Sequence, residues 1–385
     1  MTGRKIRILH VLDSFDAGGA QEVVANLLSG CDPDRFTMET ASMHRHGIYT
    51  GRFRELGAPA HSLSPHKFLP LYVPNLAALL VRGRFDIVHT HLTAANLIAK
   101  PLAALCGVPV RINHDHANDA SRKDRSILCA ADRMANRLAT HICAVSRSTR
   151  EFLIREEHIP PEKISLVHNG IDLERFAPGR TGQPEARARL GLPAEGFAIG
   201  GIGRLTEQKN FQLLLEAAAR LRAVRADGFV VLAGTGPLED ALRRQTAELG
   251  LSGSVHFIGH LSDTTALYPA LDLLVMPSLF EGLPMVLLEA MAMKIPVVAS
   301  AVDGIEEILR DGEDGVLVRS WDADAFATQI AQLLDDPVRR ARISAAAREK
   351  VVHGFSRATM CARMEEIYKS ALTANGAAGE HPAVP

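Results

Sequence analysis

The sequence has little of what marks a disulfide-stabilised, membrane-spanning or strongly basic protein. Its five cysteines are odd in number and form no C-x-x-C pair, which predicts reduced thiols of a cytosolic protein. The apolar run 6–12 ends at Asp13 and predicts a strand, not a signal peptide. No stretch is long and apolar enough to predict a transmembrane helix. The net charge of −1 argues against nucleic-acid binding through bulk positive charge.

What is present is an ordinary globular composition, with 47% hydrophobic and 23% charged residues in 385. This length predicts two to three domains. The charge is uneven, because residues 1–178 contain 22 basic and 18 acidic residues and 12 of the 16 histidines. The asymmetry suggests that the first half faces an anionic partner. A chance difference of a few solvated side chains explains it equally well.

Short apolar runs alternate with amphipathic helical segments along the whole chain. Continuously apolar strands separated by helices predict parallel sheets covered by helices on both faces. The predicted strands are 6–12, 86–89, 108–112, 141–145, 164–167, 197–202, 229–232, 255–258, 273–276, 296–299 and 316–318. The clearest predicted helices are 20–28, 94–105, 211–224 and 238–249.

A Pro- and Gly-rich stretch at 176–193 predicts the domain boundary. The predicted domains are 1–178 and 179–356, each with its own strand–helix series, and 373–385 is predicted to be a flexible tail. Two doubly wound domains that face one another would form a cleft at the carboxyl ends of their strands, where such sheets bind ligands.

Two glycine-containing loops each connect a predicted strand to a predicted helix. In the first, Gly18 and Gly19 let the backbone approach an anion at a helix N-terminus, although an ordinary turn explains them nearly as well. In the second, Arg204 and Lys209 follow Gly203 and could clamp a diphosphate. Isolated cations of this kind are more often solvated surface residues. Neither loop has the G-x-G-x-x-G pattern of a dinucleotide site.

The most informative segment is 276–292, where a strand, a Pro/Gly turn and an apolar helix follow one another. Glu289 lies inside this helix, and an unpaired buried carboxylate is costly, so its presence predicts a ligand contact. The alternative is a half-exposed structural ion pair. Glu281 lies eight residues earlier, about 12 Å along a helix at ~1.5 Å per residue. This spacing suits an elongated polar ligand held at two points, with its anionic middle at the helix N-terminus.

The Glu281–Glu289 spacing resembles the E-x7-E element of the retaining glycosyltransferases of family 4, which have the GT-B fold. The resemblance implies two Rossmann-like, doubly wound parallel-sheet domains facing across a cleft, and a C-terminal helix, 357–372, that crosses back to the first domain. Further matching segments follow in order along almost the whole chain: Gly18-Gly19, DIVHTH at 86–91, AVS at 144–146, VHNGID at 167–172, GRL at 203–205 with Lys209-Asn210, GTGP at 234–237, VHFIG at 255–259, Pro277-Ser278, and PVVAS at 296–300 leading to GIEE at 304–307.

The resemblance also implies roles for single residues. Arg204 and Lys209 bind the donor diphosphate, Glu289 binds the ribose hydroxyls, Glu281 contacts the transferred sugar, and His114 lies near the anomeric carbon. The implied catalytic residues are His114, Arg204, Lys209 and Glu281. The implied donor-binding residues are Gly18, Gly19, Arg204, Lys209, His260 and Leu261 beside the base, Glu281, Gly282, Leu283, Pro284, Met285 and Glu289.

The chemistry implied by the family fits these residue types. Fixed cations and helix N–H groups can stabilise the negative charge of a leaving diphosphate without a metal ion. The acceptor hydroxyl can lose its proton to the departing phosphate on the same face of the sugar, so no enzymic nucleophile is required. A double displacement through a covalent intermediate is the weaker alternative. The implied co-substrate is a nucleotide-diphosphate sugar, UDP-linked, with no cofactor.

Two H-x-H pairs at predicted strand ends, His89 with His91 and His114 with His116, could suggest a metal centre. The i, i+2 spacing places both histidines of a pair on one face of a strand. Neither pair has a cysteine partner or the helical His–Glu spacing of metal hydrolases. The favoured interpretation is that His91 and His116 line the acceptor side or bond to loop backbone.

The segment Asp322-Ala323-Asp324 resembles the D-x-D of metal-dependent transferases. It lies at the start of a predicted helix, where N-capping by Asp322 explains it better. The sequence therefore predicts no metal site.

Two stretches of the first half could meet a lipid surface. Residues 66–84 combine large apolar side chains with Lys67, Arg82 and Arg84, and a second stretch is basic. Together they could rest on an anionic membrane and present a lipid-linked acceptor. A core helix and a solvated basic face explain them equally well. The second stretch contains Arg122, Lys123, Arg125, Arg133 and Arg137.

Taken together, the sequence predicts a retaining glycosyltransferase that is cytoplasmic or peripheral on the inner face of the cell membrane. The predicted acceptor is a glycan or lipid-linked intermediate of bacterial surface polysaccharide or glycolipid synthesis, and no nucleic-acid partner is predicted. A UDP-sugar epimerase of the same fold is one alternative. A catalytically silent nucleotide-sugar or glycan-binding module is another, although the intact set of Arg204, Lys209, Glu281 and Glu289 counts against it.

Overall fold

The computed structural model describes residues 4–44, 46–64, 71–116 and 126–376. The chain divides into two compact units, one running to Gly170 and resuming at Arg357, the other spanning Ile171–Ser356. The second unit begins before the predicted boundary at 178/179. Ile171 pairs with Ser356, and its N–H donates to the carbonyl of Phe355 at 2.8 Å. The two ends of this unit therefore meet.

The first unit is an α/β structure with helices between parallel strands. Its strands are β1 (Ile6–Leu12), β2 (Phe36–Ser42), β3 (Ala60–Ser62), β4 (Ile87–His91), β5 (Val110–Asp115), β6 (His141–Ala144) and β7 (Ile164–Leu166). Its helices are α1 (Gly19–Gly30), α2 (Tyr49–Glu55), α3 (Tyr72–Gly83), α4 (Thr93–Leu105), α5 (Ser126–Leu138), α6 (Arg147–Arg155) and, at the end of the chain, a long helix over Arg357–Ala374. The sheet has the order β3-β2-β1-β4-β5-β6-β7, and all pairs are parallel.

The second unit is also an α/β structure with helices between parallel strands. Its strands are β8 (Phe197–Ile202), β9 (Gly228–Ala233), β10 (Val255–Gly259), β11 (Leu273–Met276), β12 (Val297–Ser300) and β13 (Val316–Val318). Its helices are α7 (Gln183–Arg189), α8 (Phe211–Val224), α9 (Glu239–Glu248), α10 (Met285–Ala292), α11 (Asp303–Ile308), α12 (Ala323–Asp335) and α13 (Pro337–Gly354). The parallel sheet has the order β10-β9-β8-β11-β12-β13.

Apolar sequence explains the central strands, because a parallel sheet is covered on both faces. Every residue of β11 and β12 is buried, and α8 adds Phe211, Leu214 and Leu221 to the same core. The predicted pair of parallel α/β sheets is thus confirmed.

The final helix, α14 (Arg357–Ala374), packs on the first unit. Glu365 accepts the N–H of Asp32 at 2.9 Å, and the buried Tyr368 hydroxyl bonds to His89 at 2.8 Å. Helix α14 extends two residues beyond the predicted end at 372, and most of the predicted tail, 377–385, lies outside the described residues.

Several strand predictions are wrong in detail. Strands β2 and β3, at one side of the sheet, were not predicted, because the polar sequence of β2 and the three-residue length of β3 give little signal. Strands β4 and β5 also continue beyond their predicted ends at 89 and 112. Cross-strand pairing of His91 with His114 explains the extension. Both histidines therefore lie in the sheet itself.

The two stretches predicted to meet a lipid surface are described only in part, since residues 65–70 and 121–125 lie outside the described ranges. In and beside α3, Leu71, Val73 and Val81 are exposed apolar side chains. No helix within the part of the chain that the structure describes combines the length and hydropathy needed to cross a bilayer.

Candidate functional site

Each sheet reverses its strand order at one point, between β1 and β4 in the first unit and between β8 and β11 in the second. Open parallel sheets bind ligands at the carboxyl ends of the strands beside such a switch point. In the second unit the loop after β8 carries Arg204 and Lys209, and the loop after β11 carries Glu281. Topology therefore brings the predicted donor residues to one edge of this sheet.

Lys209 and Glu281 form an ion pair at this edge. Lys209 Nζ lies 2.5 Å from Glu281 Oε1, which also accepts the hydroxyl of Ser278 at 2.7 Å. Both charged side chains are largely buried, with 16% and 5% of their surface exposed. A buried carboxylate needs such partners. Oε2 of Glu281 accepts no hydrogen bond from any described residue.

Backbone contacts hold the two loops together. Gln208 donates from Nε2 to the carbonyl of Phe280 at 3.0 Å and accepts the N–H of Leu279 at 2.9 Å. The N–H of Gly304, in α11, donates to the carbonyl of Glu281 at 3.3 Å. There is no room for a side chain at Gly304, because a methyl group there would overlap with the carbonyl oxygen of Gly282. The Glu281–Gly282 turn is thus fixed from both sides.

Glu289 is buried inside α10, with 6% of its surface exposed. Its Oε2 accepts the hydroxyls of Tyr268 at 2.6 Å and Thr264 at 3.0 Å. Burial, together with the neighbouring carboxylate, raises the pKa of Tyr268 well above its ordinary value, so this hydroxyl keeps its proton to donate. The alternative of a half-exposed Glu289 is therefore wrong.

The other predicted donor residues are less enclosed or differently placed. Arg204 is exposed, and its guanidinium has no ion pair or hydrogen bond with any described residue. His260 is exposed and Leu261 half-buried at the end of β10. At the start of α10 the backbone turns through a buried segment formed by Gly282, Leu283, Pro284 and Met285.

Gly18 and Gly19 lie in the first unit, before and at the start of α1. Gly18 has extended backbone, with φ of 179°, and caps the helix without a side chain. The side chain of Gln21 folds back to occupy this space and donates to the carbonyl of Ser14 at 2.9 Å. Glycine is suited to this position because the Gln21 side chain occupies the space that a Cβ atom would need. The backbone angle itself does not require glycine.

A cluster of five histidines lies at the carboxyl edge of the first sheet, and we name it the histidine cluster: His10, His89, His91, His114 and His116. His10 was not predicted as a site residue, although it is a polar residue within positions 8–12 of β1, which are otherwise apolar. It pairs in register with His89 on the neighbouring strand. All but His116 have no exposed surface.

Contacts between ring nitrogens join three histidines of the cluster. His10 Nδ1 lies 3.0 Å from His91 Nε2, and His91 Nδ1 lies 2.9 Å from His116 Nε2. Burial lowers the pKa of His10 to about 3 and that of His116 to about 4. Burial and the neighbouring imidazoles hold the pKa values of the other three well below the ordinary value. The rings are therefore neutral at neutral pH.

Asp322 caps helix α12, as the interpretation of the D-x-D segment predicts. Its carboxylate accepts the N–H of Ala325 at 2.9 Å. Asp324 instead points to Arg220, 3.1 Å away in an exposed ion pair. The two carboxylates serve different structural purposes.

We expect Asp322→Ala to lower the free energy of unfolding by about 1 kcal/mol, the usual cost of losing an N-cap. The matched variant Asp324→Ala should cost at most about 0.5 kcal/mol, because exposed ion pairs contribute little. Urea unfolding followed by circular dichroism measures both. Equal losses in the two variants would contradict the cap.

Comparison with known proteins shows the family to which this chain belongs. Residues 17–175 match the family model described as Glycosyltransferase Family 4, and residues 182–350 match the model described as Glycosyl transferases group 1. Putative glycosyltransferase EpsF of Bacillus subtilis is 33% identical over 315 residues, which cover 80% of this chain and 82% of that protein. The UDP-Gal:alpha-D-GlcNAc-diphosphoundecaprenol alpha-1,3-galactosyltransferase of Escherichia coli is 29% identical over 301 residues, 76% of this chain and 78% of that protein.

Solved structures show the same architecture. Anabaena HepE in complex with UDP-glucose superposes with a TM-score of 0.85 at 21% identity, covering 95% of this chain and 100% of that one. Sucrose-phosphate synthase from Thermosynechococcus elongatus superposes with a TM-score of 0.80 at 20% identity, covering 96% of this chain and 100% of that one. The protein is a glycosyltransferase of the GT-B fold. It belongs to the group 1 glycosyltransferases.

Proposed function

We propose that this glycosyltransferase moves a sugar from a UDP-sugar to a hydroxyl acceptor with retention of anomeric configuration and without a metal ion or other cofactor. The observation that carries the proposal is the buried Lys209–Glu281–Ser278 cluster beside the switch point of the second sheet, followed by buried Glu289 on the next helix. These side chains are costly to bury, and a polar ligand with an anionic centre accounts for them together.

The donor diphosphate is proposed to bind between two cations and a helix end. Lys209 carries three N–H donors, and the ion pair with Glu281 leaves others for phosphate oxygens. The exposed guanidinium of Arg204 supplies a planar pair of donors. The first amides of α10, those of Met285 and Val286, have no partners within the helix and face the favourable end of its dipole.

Glu281 and Glu289 are proposed to bind the hydroxyl-bearing parts of the donor. Oε2 of Glu281 is available to a sugar hydroxyl, because the bonds to Lys209 and Ser278 both use Oε1. Glu289 is the proposed partner of the ribose hydroxyls. Its bonds from Tyr268 and Thr264 fix the carboxylate before the donor arrives, which reduces the cost of ordering it on binding.

The proposed reaction proceeds on one face of the sugar. The bond between the anomeric carbon and the diphosphate oxygen breaks, and the acceptor oxygen forms a bond to the same carbon from the same side. The acceptor proton passes to the departing phosphate oxygen. Lys209, Arg204 and the α10 amides stabilise the charge that develops on the diphosphate. The roles that the family resemblance implies for Gly18, Gly19, His114, His260 and Leu261 stay predictions.

Relatives support the identity of donor and acceptor. The Escherichia coli relative is named for a UDP-galactose donor and an acceptor linked to diphosphoundecaprenol. Anabaena HepE has been crystallised with UDP-glucose. We therefore propose a UDP-sugar donor and a glycan or lipid-linked acceptor of bacterial surface polysaccharide or glycolipid synthesis.

A lipid-linked acceptor also implies contact with a membrane surface. Val73, near the start of α3, and Val81, near its end, are exposed apolar side chains, and the exposed cations Arg82 and Arg84 follow Val81 closely in the sequence. This combination supports peripheral attachment to anionic lipid. Sedimentation with anionic vesicles tests this. Absence of binding at low salt would end the proposal.

The reaction itself is tested by measuring UDP release from several UDP-sugars with and without acceptor, after treatment with EDTA. We expect release that requires acceptor and persists in EDTA, with an α-linked donor giving an α-linked product by NMR. Formation of a changed sugar nucleotide without acceptor would identify an epimerase instead. Binding of UDP-sugar with no turnover for any acceptor would identify a binding module.

We expect Glu289→Gln to raise the KM for the UDP-sugar about tenfold, since a charge-assisted hydrogen bond contributes roughly 1.5–3 kcal/mol. The change keeps the shape of the side chain and its packing in α10. The matched control is Glu248→Gln at the exposed end of α9, which should leave KM unchanged. An unaltered KM in Glu289→Gln, with normal folding by circular dichroism, would remove Glu289 from the donor site.

A further inference from the structure

The steps of the proposed transfer are carried by side chains of the second unit, and within the histidine cluster His91, His114 and His116 have roles that are predicted from the sequence only. Two overlapping groups within it each bring three ligand nitrogens within 4.8 Å of one another. One group is His10, His89 and His91, and the other is His91, His114 and His116. Imidazole nitrogens are common ligands of Zn²⁺ and similar transition metals.

We propose that His91, His114 and His116 bind one divalent transition-metal ion of the Zn²⁺ class. His114 is fully buried, and neither of its ring nitrogens has a hydrogen-bond partner among the described residues. A neutral imidazole carries one donor and one acceptor, so both are left unsatisfied. A metal ion would satisfy the acceptor nitrogen directly and so remove one of the two costs of burying this ring.

Access from solvent favours the group of His91, His114 and His116 over the group of His10, His89 and His91. His116 is half-buried, so solvent reaches the edge of the group. The group of His10, His89 and His91 has no exposed surface. His89 is also held by the hydroxyl of Tyr368 at 2.8 Å.

The spacing of the ring nitrogens is close to what one ion requires. Zn–N bonds of about 2.0–2.1 Å in a tetrahedral site place two ligand nitrogens about 3.3 Å apart. His91 Nδ1 and His116 Nε2 lie 2.9 Å apart. Replacing the shared proton by a metal ion therefore opens this pair by only a few tenths of an ångström, and one ligand nitrogen of each of the three histidines lies within 4.8 Å of the other two.

His10 contacts the second ring nitrogen of His91 and can orient the His91 ring for metal binding. Ligating histidines usually donate their other N–H to an acceptor, which fixes the ring. His10 Nδ1 lies 3.0 Å from His91 Nε2 and can accept that N–H. The backbone adds a constraint, because Leu92, directly after His91, has φ of 72°, in the left-handed region that is unfavourable for leucine. His91 is thus held in place from both sides.

Three neutral imidazoles leave the ion its full charge and one open position for water. The site should therefore select Zn²⁺, Co²⁺, Ni²⁺ or Cu²⁺ over Mg²⁺ and Ca²⁺, which prefer oxygen ligands. This ion is not part of the proposed transfer, which uses no metal ion, and the histidine cluster is where the inference departs from the sequence prediction of no metal site. Its test uses neither donor nor acceptor, so the two proposals can fail separately.

The test is calorimetric titration of the full-length protein with Zn²⁺ after chelation and dialysis, together with visible spectra on adding Co²⁺. We expect one Zn²⁺ per chain, Co²⁺ absorption bands of tetrahedral type, and no binding of Mg²⁺. His116→Gln, at the half-buried ligand, should lower Zn²⁺ affinity at least tenfold, as should His114→Asn. His353→Ala is the matched control, because His353 is exposed on α13 and should bind as the wild type does.

Circular dichroism of each variant shows that it is folded before titration. Wild-type Zn²⁺ affinity in His116→Gln, or absence of Co²⁺ bands in the wild type, would overturn the inference. Loss of binding in His89→Asn with retention in His116→Gln would place the ion among His10, His89 and His91, and would also overturn the assignment.

Discussion

Lys209→Ala is expected to lower kcat/KM for the UDP-sugar by about two orders of magnitude. Removing a fixed charge that stabilises a developing anion costs on the order of 3 kcal/mol of transition-state stabilisation. Lys209 is suited to this role because it is largely buried and held in one position by Glu281. Initial rates of UDP release over a range of donor concentrations measure the effect.

The same variant also leaves the buried carboxylate of Glu281 without its cation, so lost stability must be separated from lost catalysis. The double variant Lys209→Ala/Glu281→Gln removes the uncompensated charge and should recover stability, measured as Tm, without recovering turnover. Lys5→Ala is the matched control, because Lys5 is exposed and 4.0 Å from the exposed Asp34. Near-normal turnover in Lys209→Ala would refute the assignment of this site.

The fold was largely predictable because the strands of a parallel sheet can be recognised from their local sequence. Strands such as β8, β11 and β13 are short apolar runs whose limits coincide with the predictions. The amphipathic pattern of α8 was equally clear. Burial on both faces imposes this pattern on each strand, so no long-range information was needed. Strand β2, next to the outer strand β3, is only partly buried and lacks this signal.

Glu289 shows how far the site could be predicted. A carboxylate in an apolar helix conflicts with its local surroundings, and such conflicts are expected at functional positions. The sequence therefore pointed to Glu289. It could not identify Tyr268 and Thr264 as the side chains that hold the carboxylate, because nothing near either residue shows which helix it packs against.

The pairing of Lys209 with Glu281 was not predicted, although both residues were. They are 72 positions apart, and the resemblance assigned them to separate parts of the donor. Their contact follows from sheet order, since β8 and β11 become neighbours only when the sheet forms. The histidine cluster has the same origin, because β1, β4 and β5 bring together residues from three distant segments.

Gly304→Ala is the second substitution for which we expect a large loss of activity and stability. The loss comes from packing rather than from charge. Alanine favours a helix over glycine by about 1 kcal/mol, so propensity alone predicts that the change stabilises α11. The added methyl group, however, would overlap with the carbonyl oxygen of Gly282 and lie 2.7 Å from its carbonyl carbon. Atoms at this position are backbone and cannot rotate away, so the steric cost exceeds the gain.

The turn that must move carries Glu281 and the amides that follow it. A displacement of about 1 Å at a reacting centre can cost about 10²-fold in rate, and overpacking usually costs about 1–3 kcal/mol of stability. We therefore expect Gly304→Ala to lose at least tenfold in kcat and several degrees in Tm, measured by UDP release and differential scanning calorimetry. Gly253→Ala is the matched control, since a methyl group there meets no atom within 4 Å. Equal behaviour of the two variants would show that the close approach of α11 does not hold the Glu281–Gly282 turn in place.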